Sequence, residues 1–459
     1  MREVDLREFR KQFDGYTELR FQENTNISVQ VVDGTVMGNS RSTEGGISSR
    51  VFRNGGWGFA SSPETTSESI NTVIKAACEN AGFMDSRLKN KPYELPSMPG
   101  TSSKSFKSAK PRKSQKEIIE FVREVDSIVE SSCPGLRSRT IVLRDLDMEK
   151  SLITSDGATA YSFVPRSICY IVRTIEKDGT PFDLFEPVGG RGQFEDVFSQ
   201  PADLREAIGN TYEHLKRKSD GVYAQAGLKD VVLDSHLAGV FAHEAVGHTT
   251  EADIVMGGSV AGEYVGKEVG SELVNMVDFA NTAYGETCPV PVYVDDEGTA
   301  ARDAVLIENG ILKGFMHNRE TAHHFNAEPT GNAKAYRFSD EPIIRMRNTT
   351  VLPGESSFDE MIASVEDGYY LIRFNNGQAD STSEFMFGIN LGYEIKSGKL
   401  GRAIRDTTIS GVAFETLKTV SMVSNEISWS CSGMCGKKQP IPVGMGGPAI
   451  KCKVSIGGR

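Results

Sequence analysis

The sequence predicts an α+β fold: an α/β N-terminal domain followed by a β-rich C-terminal domain that carries one chemically distinctive helix. Three observations predict it. Before residue 220, apolar residues recur with both the helical and the strand period. Beyond Gly221, short strand-like runs and glycine-centred turns take over. The chain has 459 residues, more than one small core requires, which favours two or three domains. The expected division is 1–220 and 221–459.

Each element has its own signal. Ile27, Val29 and Val31 alternate on one face of a strand, and Asp33-Gly34 follows as a tight turn. A second hairpin is expected from Ile47 to Ala60, with Asn54-Gly55 at its tip and Trp57 and Phe59 on the return strand. Ile70, Val73, Ile74 and Ala77 repeat at helical spacing, as do Ile118, Phe121, Val122, Val125, Ile128 and Val129. Between these helices, Pro99–Lys116 is rich in Ser, Lys, Pro and Gly and predicts a flexible surface linker at about 99–116. Its basic run, Lys104 to Lys116, is expected to be solvated. Strand patterns resume from Arg139 to about Ile175, and a helix is expected over 204–215. In the second half, Val231–Leu233 predicts a buried strand, and Asn309-Gly310 predicts a type I′ hairpin.

Composition excludes some classes of function. Apolar residues make up 38% and charged residues 25%, the proportions of a soluble globular protein. A formal charge of −11 opposes the phosphate backbone, so direct nucleic-acid binding is not expected. No run approaches the roughly 20 apolar residues that a membrane-crossing helix needs. Met1–Phe13 is charged throughout and carries no secretory pattern. The seven cysteines are scattered and odd in number, which fits a reducing cytoplasm better than a disulfide framework.

Chemistry concentrates in Asp230–His248. Ser235 is the expected N-cap of a helix whose last turns carry His243-Glu244-Ala245-Val246-Gly247-His248. Zinc peptidases commonly place two histidines four apart on one helix face, with a glutamate as base. Here the spacing is five, and at about 100° per residue the two imidazoles diverge by roughly 140° on a regular helix. A left-handed Gly247 or a π-bulge would bring His248 back toward His243. A third ligand is also needed. The candidates are Glu251, Asp253, Cys431, Cys435 and Cys452, and spacing does not choose among them.

Several further motifs accompany this stretch. They are Asn54-Gly-Gly-Trp-Gly-Phe-Ala60, Asp296-Glu-Gly-Thr299 with Arg302-Asp303, Pro329-Thr-Gly-Asn332, Arg345-Met-Arg-Asn-Thr349, Gly377-Gln-Ala-Asp380 and Cys435-Gly-Lys437. Together, and in this order along the chain, they resemble the TldD/PmbA family. The resemblance implies a zinc-dependent metallopeptidase of the cytoplasm that hydrolyses unfolded polypeptides or leader peptides. It implies Zn²⁺ held by His243, His248 and Cys435, with Glu244 as the base. It also implies a dimer, in which the metal-bearing chain pairs with a homologous TldE/PmbA-like subunit. Gly377, Gln378, Asp380 and Ser381 are expected to face an extended peptide substrate, and His317, His323 and His324 are weaker candidates for oxyanion stabilisation. The charged group from Asp295 to Asp303 is expected to form internal ion pairs. The alternative is a non-catalytic subunit that binds a peptide or partner on the same scaffold.

Overall fold

The computed structural model describes residues 5–88 and 92–457; residues 1–4 of the charged opening segment and 458–459 of the expected second domain lie outside the described residues. Tyr16–Val32 (β1) and Thr35–Arg53 (β2) form a long antiparallel hairpin that turns at Asp33-Gly34. Both turn residues have positive φ, the backbone that a type I′ turn requires. A second turn at Asn54-Gly55 leads into Gly56–Ser62 (β3), as expected. Ser67–Arg87 (α1) buries Ile70, Val73, Ile74 and Ala77 against these strands. Gly58 of β3 lies so close to α1 that a Cβ there would come within 2.2 Å of the Ala77 carbonyl oxygen.

Thr101–Ser105 (β4), Gln115–Ser132 (α2), Ser138–Thr154 (β5), Thr159–Lys177 (β6), Thr180–Arg191 (β7) and Arg205–Ser219 (α3) follow. The seven strands make one sheet, ordered β3-β2-β1-β5-β6-β4, with β7 also paired to β6. Helices α2 and α3 cover it, burying Val122, Val125, Ile208 and Leu215 on Val29, Val31 and Ile141. Here the expected linker at 99–116 is corrected. Within it, β4 pairs in parallel with β6. Arg112 binds Asp145 at 2.7 Å and Glu195 at 2.9 Å, and the Lys110 ammonium donates to the Glu195 carbonyl at 2.7 Å. The segment is held by charges distant along the chain, which its local composition cannot reveal.

The second half contains Gly227–Leu233 (β8), Ser235–Phe241 (α4), Met276–Phe279 (β9), Ala304–Glu308 (β10), Ile311–Leu312 (β11), Asn348–Val351 (β12) and Asp367–Ala379 (β13). Glu384–Lys396 (β14), Lys399–Ile404 (β15), Thr407–Val412 (β16), Ser428–Cys435 (β17), Ile441–Gly447 (β18) and Ile450–Ile456 (β19) follow, with shorter strands and helices between them. Strands β8, β19, β16, β14 and β13 pair in a closed ring. A second sheet runs β11-β10-β9-β12-β18-β17, so β17 is an edge strand. Asn309 and Gly310, both at positive φ, turn β10 into β11 as expected. Helix α4 packs between ring and sheet. At Gly239 a Cβ would come within 2.4 Å of the Gly446 nitrogen on β18. Among the described residues, no helix is long and apolar enough to cross a membrane.

The halves meet through buried charges. Lys150 on β5 binds Asp296 at 2.6 Å, Arg319 binds Asp156 at 2.6 Å, and Arg50 on β2 bridges Glu18 and Glu297. Asp296 and Glu297 thus form the internal pairs expected for the 295–303 group. A further pair, Arg347 with Asp278 at 2.8 Å, is wholly excluded from solvent at the centre of the second sheet. Asp278 also accepts from the Arg347 and Asn348 N–H groups and the Thr349 hydroxyl. Removing one member of a buried pair strands the other charge. Asp278→Ala is therefore expected to cost about 3–5 kcal/mol in chemical denaturation, several times the effect of an exposed-pair change such as Lys75→Ala.

Candidate metal centre

The site begins at the end of β8. Asp234 has extended backbone and its carboxylate accepts from the Leu237 N–H at 2.8 Å, so Asp234 is the N-cap of α4 and the expected Ser235 is its first helical residue. After Phe241 the helix widens into a π turn over Ala242–Gly247, in which the His248 N–H donates to the His243 carbonyl. Of the two irregularities that could reunite the histidines, the chain adopts the π turn. Gly247 keeps a right-handed backbone, with φ −57°. Glycine is required there for space, because a Cβ would come within 2.1 Å of Met346 Sδ.

One π turn returns residue i+5 above residue i. The imidazoles of His243 and His248 accordingly lie 5.2 Å apart, nearly perpendicular. Cys435, at the end of β17, brings its Sγ to 3.2 Å from His248 Nε2. The donor atoms of His243, His248 and Cys435 all lie within 4.8 Å of one another. His243 is 1% exposed, and neither of its ring nitrogens has a hydrogen-bond partner among the described residues. A buried polar group left without a partner costs about 1–3 kcal/mol, so an orphaned imidazole facing a second imidazole and a thiol fits a cation.

The surroundings favour ligand ionisation and orientation. Burial opposes a charge on Cys435, but His243 and His248 outweigh it and bring the thiol down to about 3. Burial likewise opposes protonation of His248, yet Cys435 and Glu251 raise it to about 10. Glu251 is fully buried and accepts from His248 Nδ1 at 2.8 Å, turning Nε2 toward Cys435. Lys437 binds Glu251 at 3.2 Å and Asp253 at 2.8 Å. Arg345 donates to the carbonyls of Cys435, Lys437 and Gln439 and holds the turn after β17. The Glu244 side chain is 31% exposed, with Oε2 3.8 Å from His248 Nε2.

Of the expected residues, His243, Glu244, His248 and Cys435 come together. Glu251 and Asp253 are not in the donor cluster; Glu251 orients a member of it, and both anchor Lys437. Cys431 faces the Pro289 carbonyl, and Cys452 is buried on β19 opposite Val231. Gly377 and Gln378 lie at the far end of the β13–β14 hairpin, and Asp380 caps its turn by accepting from the N–H groups of Thr382 and Glu384. The Ser381 carbonyl accepts from the Val260 N–H at 2.9 Å. These four residues are not in the donor cluster; the β13 residue packed near it is Phe374, beside Val240 and Cys435. His317 is paired with Thr321, His323 stacks on Tyr93, and His324 meets Phe325 edge-on. Sequence reasoning missed the roles of Glu251, Arg345, Lys437 and Phe374. Glu251 stands among the candidate ligands, and Arg345 and Lys437 stand in the family motifs, but nothing in the sequence marks Phe374.

Residues 226–458 match the family described as PmbA/TldA metallopeptidase C-terminal domain, and residues 17–81 match PmbA/TldA metallopeptidase domain 1. The chain is 31% identical to a "Zinc metalloprotease TldD homolog" of Saccharolobus solfataricus, over 91% of each chain. It is 29% identical to a "Metalloprotease TldD homolog" of Haemophilus influenzae, covering 96% of this chain and 93% of that one. Its fold matches the crystal structure of TldE from Thermococcus kodakarensis with a TM-score of 0.77 at 18% identity, over 99% of each chain.

Two outcomes test the site itself. Gly247→Ala forces a methyl group into Met346 Sδ. Metal affinity measured by competition with a chelator is expected to fall by at least about tenfold, as for loss of ligand support, and to recover in part when Met346→Ala is added. In metal-free protein, the Cys435 thiol is held down at about 3, so its thiolate persists as pH falls from neutral until near that value. Thiolate ultraviolet absorbance that survives to about pH 4 and is absent from Cys435→Ser is expected; loss near the ordinary thiol value of about 8.5 would contradict the pairing.

Proposed function

Because the chain belongs to the PmbA/TldD family of metallopeptidases, we propose that it is a zinc-dependent peptidase in which His243, His248 and Cys435 hold the ion and Glu244 is the base. The observation that carries this reading is the cluster of three donors within 4.8 Å, with Glu244 beside it. Imidazole and thiolate are both zinc donors, and three protein ligands leave a fourth position open for water or substrate, as catalytic zinc sites do. A bound zinc ion would supply a Lewis acid that polarises a carbonyl and acidifies water.

The remaining steps belong to the chain's own residues. The Glu244 carboxylate, partly exposed at the mouth of the site, takes a proton from water and returns it to the leaving amine. Glu251 fixes the tautomer and direction of His248 through Nδ1, and Lys437 offsets the buried carboxylate. A thiolate among the ligands would leave a bound metal less Lewis-acidic than three neutral imidazoles would, which places more of the proposed catalysis on Glu244.

The substrate we propose is an extended peptide, from an unfolded polypeptide or a leader segment. Cys435 ends β17, which lies at the edge of its sheet, and a sheet edge can pair with an extended chain through main-chain bonds, with little demand on sequence. Gly377, Gln378, Asp380 and Ser381 would then contact parts of the peptide remote from the metal. The likeness of the fold to TldE supports pairing with a homologous TldE/PmbA-like subunit as a dimer, and the cytoplasm is the proposed location.

Elemental analysis and peptide hydrolysis test this together. Wild type is expected to carry about one zinc ion per chain, lost in Cys435→Ala and His248→Ala. Glu244→Ala is expected to keep the zinc and lose hydrolysis by about 10²–10⁴-fold. Full zinc with undiminished hydrolysis in Glu244→Ala would remove Glu244 from the chemistry. Unfolding on chelation together with indifference to Glu244→Ala would make the metal structural. Absence of zinc from wild type would favour the non-catalytic binding subunit.

A further inference from the structure

A cleft opens between the first sheet and the second half of the molecule, and none of the three donor residues lines it. Leu146, Met148 and Val164 of β5 and β6 form one wall, and the Pro289–Asp296 segment with Ile441 and Pro442 forms the other. Its lining is mainly apolar, yet Lys104, Arg166 and Lys334 reach it with no carboxylate partner among the described residues. Lys334 is 6% exposed, and its ammonium donates only to the carbonyls of Met346 at 3.2 Å and Pro442 at 3.0 Å. Arg166 donates to the carbonyls of Cys431 and Gly433. Lys104 sits at the exposed rim, 5.0 Å above the Tyr293 ring.

The acidic groups of the cleft do not neutralise these three. Asp296 is engaged by Lys150 at 2.6 Å and by the Ala335 N–H at 2.7 Å. Asp295 accepts from the N–H groups of Glu297, Thr299 and Ala333, and burial beside Glu297 pushes it up to about 8, toward the neutral acid. Burial and then Arg345 bring Lys334 down to about 7. A buried ammonium with no counter-charge is a costly feature that an arriving anion would relieve.

The cleft is also close to the chemistry. Pro442 and Ile441 are the register partners of Met434 and Cys435, and adjacent strands lie about 4.8 Å apart. Ile441 lines the cleft and belongs to the apolar group around Cys435. We propose that this cleft binds the C-terminal carboxylate of a peptide whose last side chain is apolar, with Lys334 and Arg166 receiving the carboxylate and Lys104 drawing it in at the rim. An apolar wall with cations and no free acid complements that terminus and disfavours an amidated one, which lacks the charge. The choice of a peptide as occupant rests on the peptidase reading. Its consequence is a preference for cleavage near free C-termini.

The test uses an N-acetylated tripeptide ending in leucine, as the free acid and as the C-terminal amide. Binding to the zinc-loaded Glu244→Gln protein is measured by calorimetry, and hydrolysis by wild type is measured in parallel. The free acid is expected to bind at least about tenfold more tightly than the amide, the usual strength of a charge-assisted contact. Lys334→Met is expected to bring that ratio close to one with amide binding unchanged. Lys104→Met, at the exposed rim, is expected to lower the ratio without touching the core. Equal affinity for acid and amide in the parent protein, or an undiminished ratio in Lys334→Met, would overturn the proposal. Glu244-dependent hydrolysis with no acid preference would leave the peptidase standing without this subsite. An acid preference without hydrolysis would do the reverse.

Discussion

Everything at the candidate metal centre depends on one backbone hydrogen bond, from the His248 N–H to the His243 carbonyl. An ordinary helix would send these imidazoles about 140° apart, and the widened turn restores them to one side. A π turn is uncommon and must be held by its surroundings. Here Ala242, Ala245 and Val246 are buried in the core of the second half, and Met346 fills the space above Gly247. The carbonyls released where the turn ends are taken up by hydroxyls: Thr249 donates to Val246 at 2.8 Å, and Thr250 donates to Gly247 at 2.9 Å. The irregularity is therefore satisfied by packing and polar contacts rather than stored as loose strain.

The third donor arrives from a separate element and is fixed by charge. Arg345 is fully buried and gathers three carbonyls of the turn that follows Cys435. Lys437, two residues past the cysteine, reaches back to Glu251 and Asp253 beside the histidines. Cys435 is thereby tied twice to the segment that follows the π turn, once through its own sulfur at His248 and once through Lys437 at Glu251 and Asp253. A buried carboxylate that orients an imidazole would be costly if uncompensated, and Lys437 removes that cost.

Much of the fold could be read from the sequence because its signals are local. Asp33-Gly34, Asn54-Gly55 and Asn309-Gly310 each make the turn their chemistry demands, and the periodic runs in α1 and α2 bury the residues that periodicity marks. The misreadings share one cause. Pro99–Lys116 looks like a solvated linker until Asp145 and Glu195 come into view, and both are distant in sequence. Ser235 is as good an N-cap by type as Asp234; where β8 ends decides between them. Within the centre, His243, Glu244 and His248 stand out by spacing, and the need for an irregular turn follows from arithmetic on the helix. Cys435 does not stand out in that way, because 187 residues separate it from His248 and only the family resemblance singles it out. Glu251 is a candidate ligand by its place in the sequence, and its burial and its bond to Nδ1 make it the group that orients His248 instead.

The ion pairs between the halves acquire a purpose once the cleft is considered. One cleft wall is borne by β5 and β6, the other by the segment before Asp296 and by β18, whose neighbour β17 ends in Cys435. Apolar contacts alone would tolerate sliding between such walls, since they are non-directional. Charge-assisted hydrogen bonds are not so tolerant. Lys150–Asp296, Arg319–Asp156 and the Arg50 bridge to Glu18 and Glu297 each join the first sheet to the second half at a defined distance. Asp296 serves both purposes: it fixes the spacing of the walls, and by engaging Lys150 it leaves Lys334 and Arg166 without a carboxylate partner among the described residues. The same buried carboxylate that holds the halves in register thus sets the charge of the space between them.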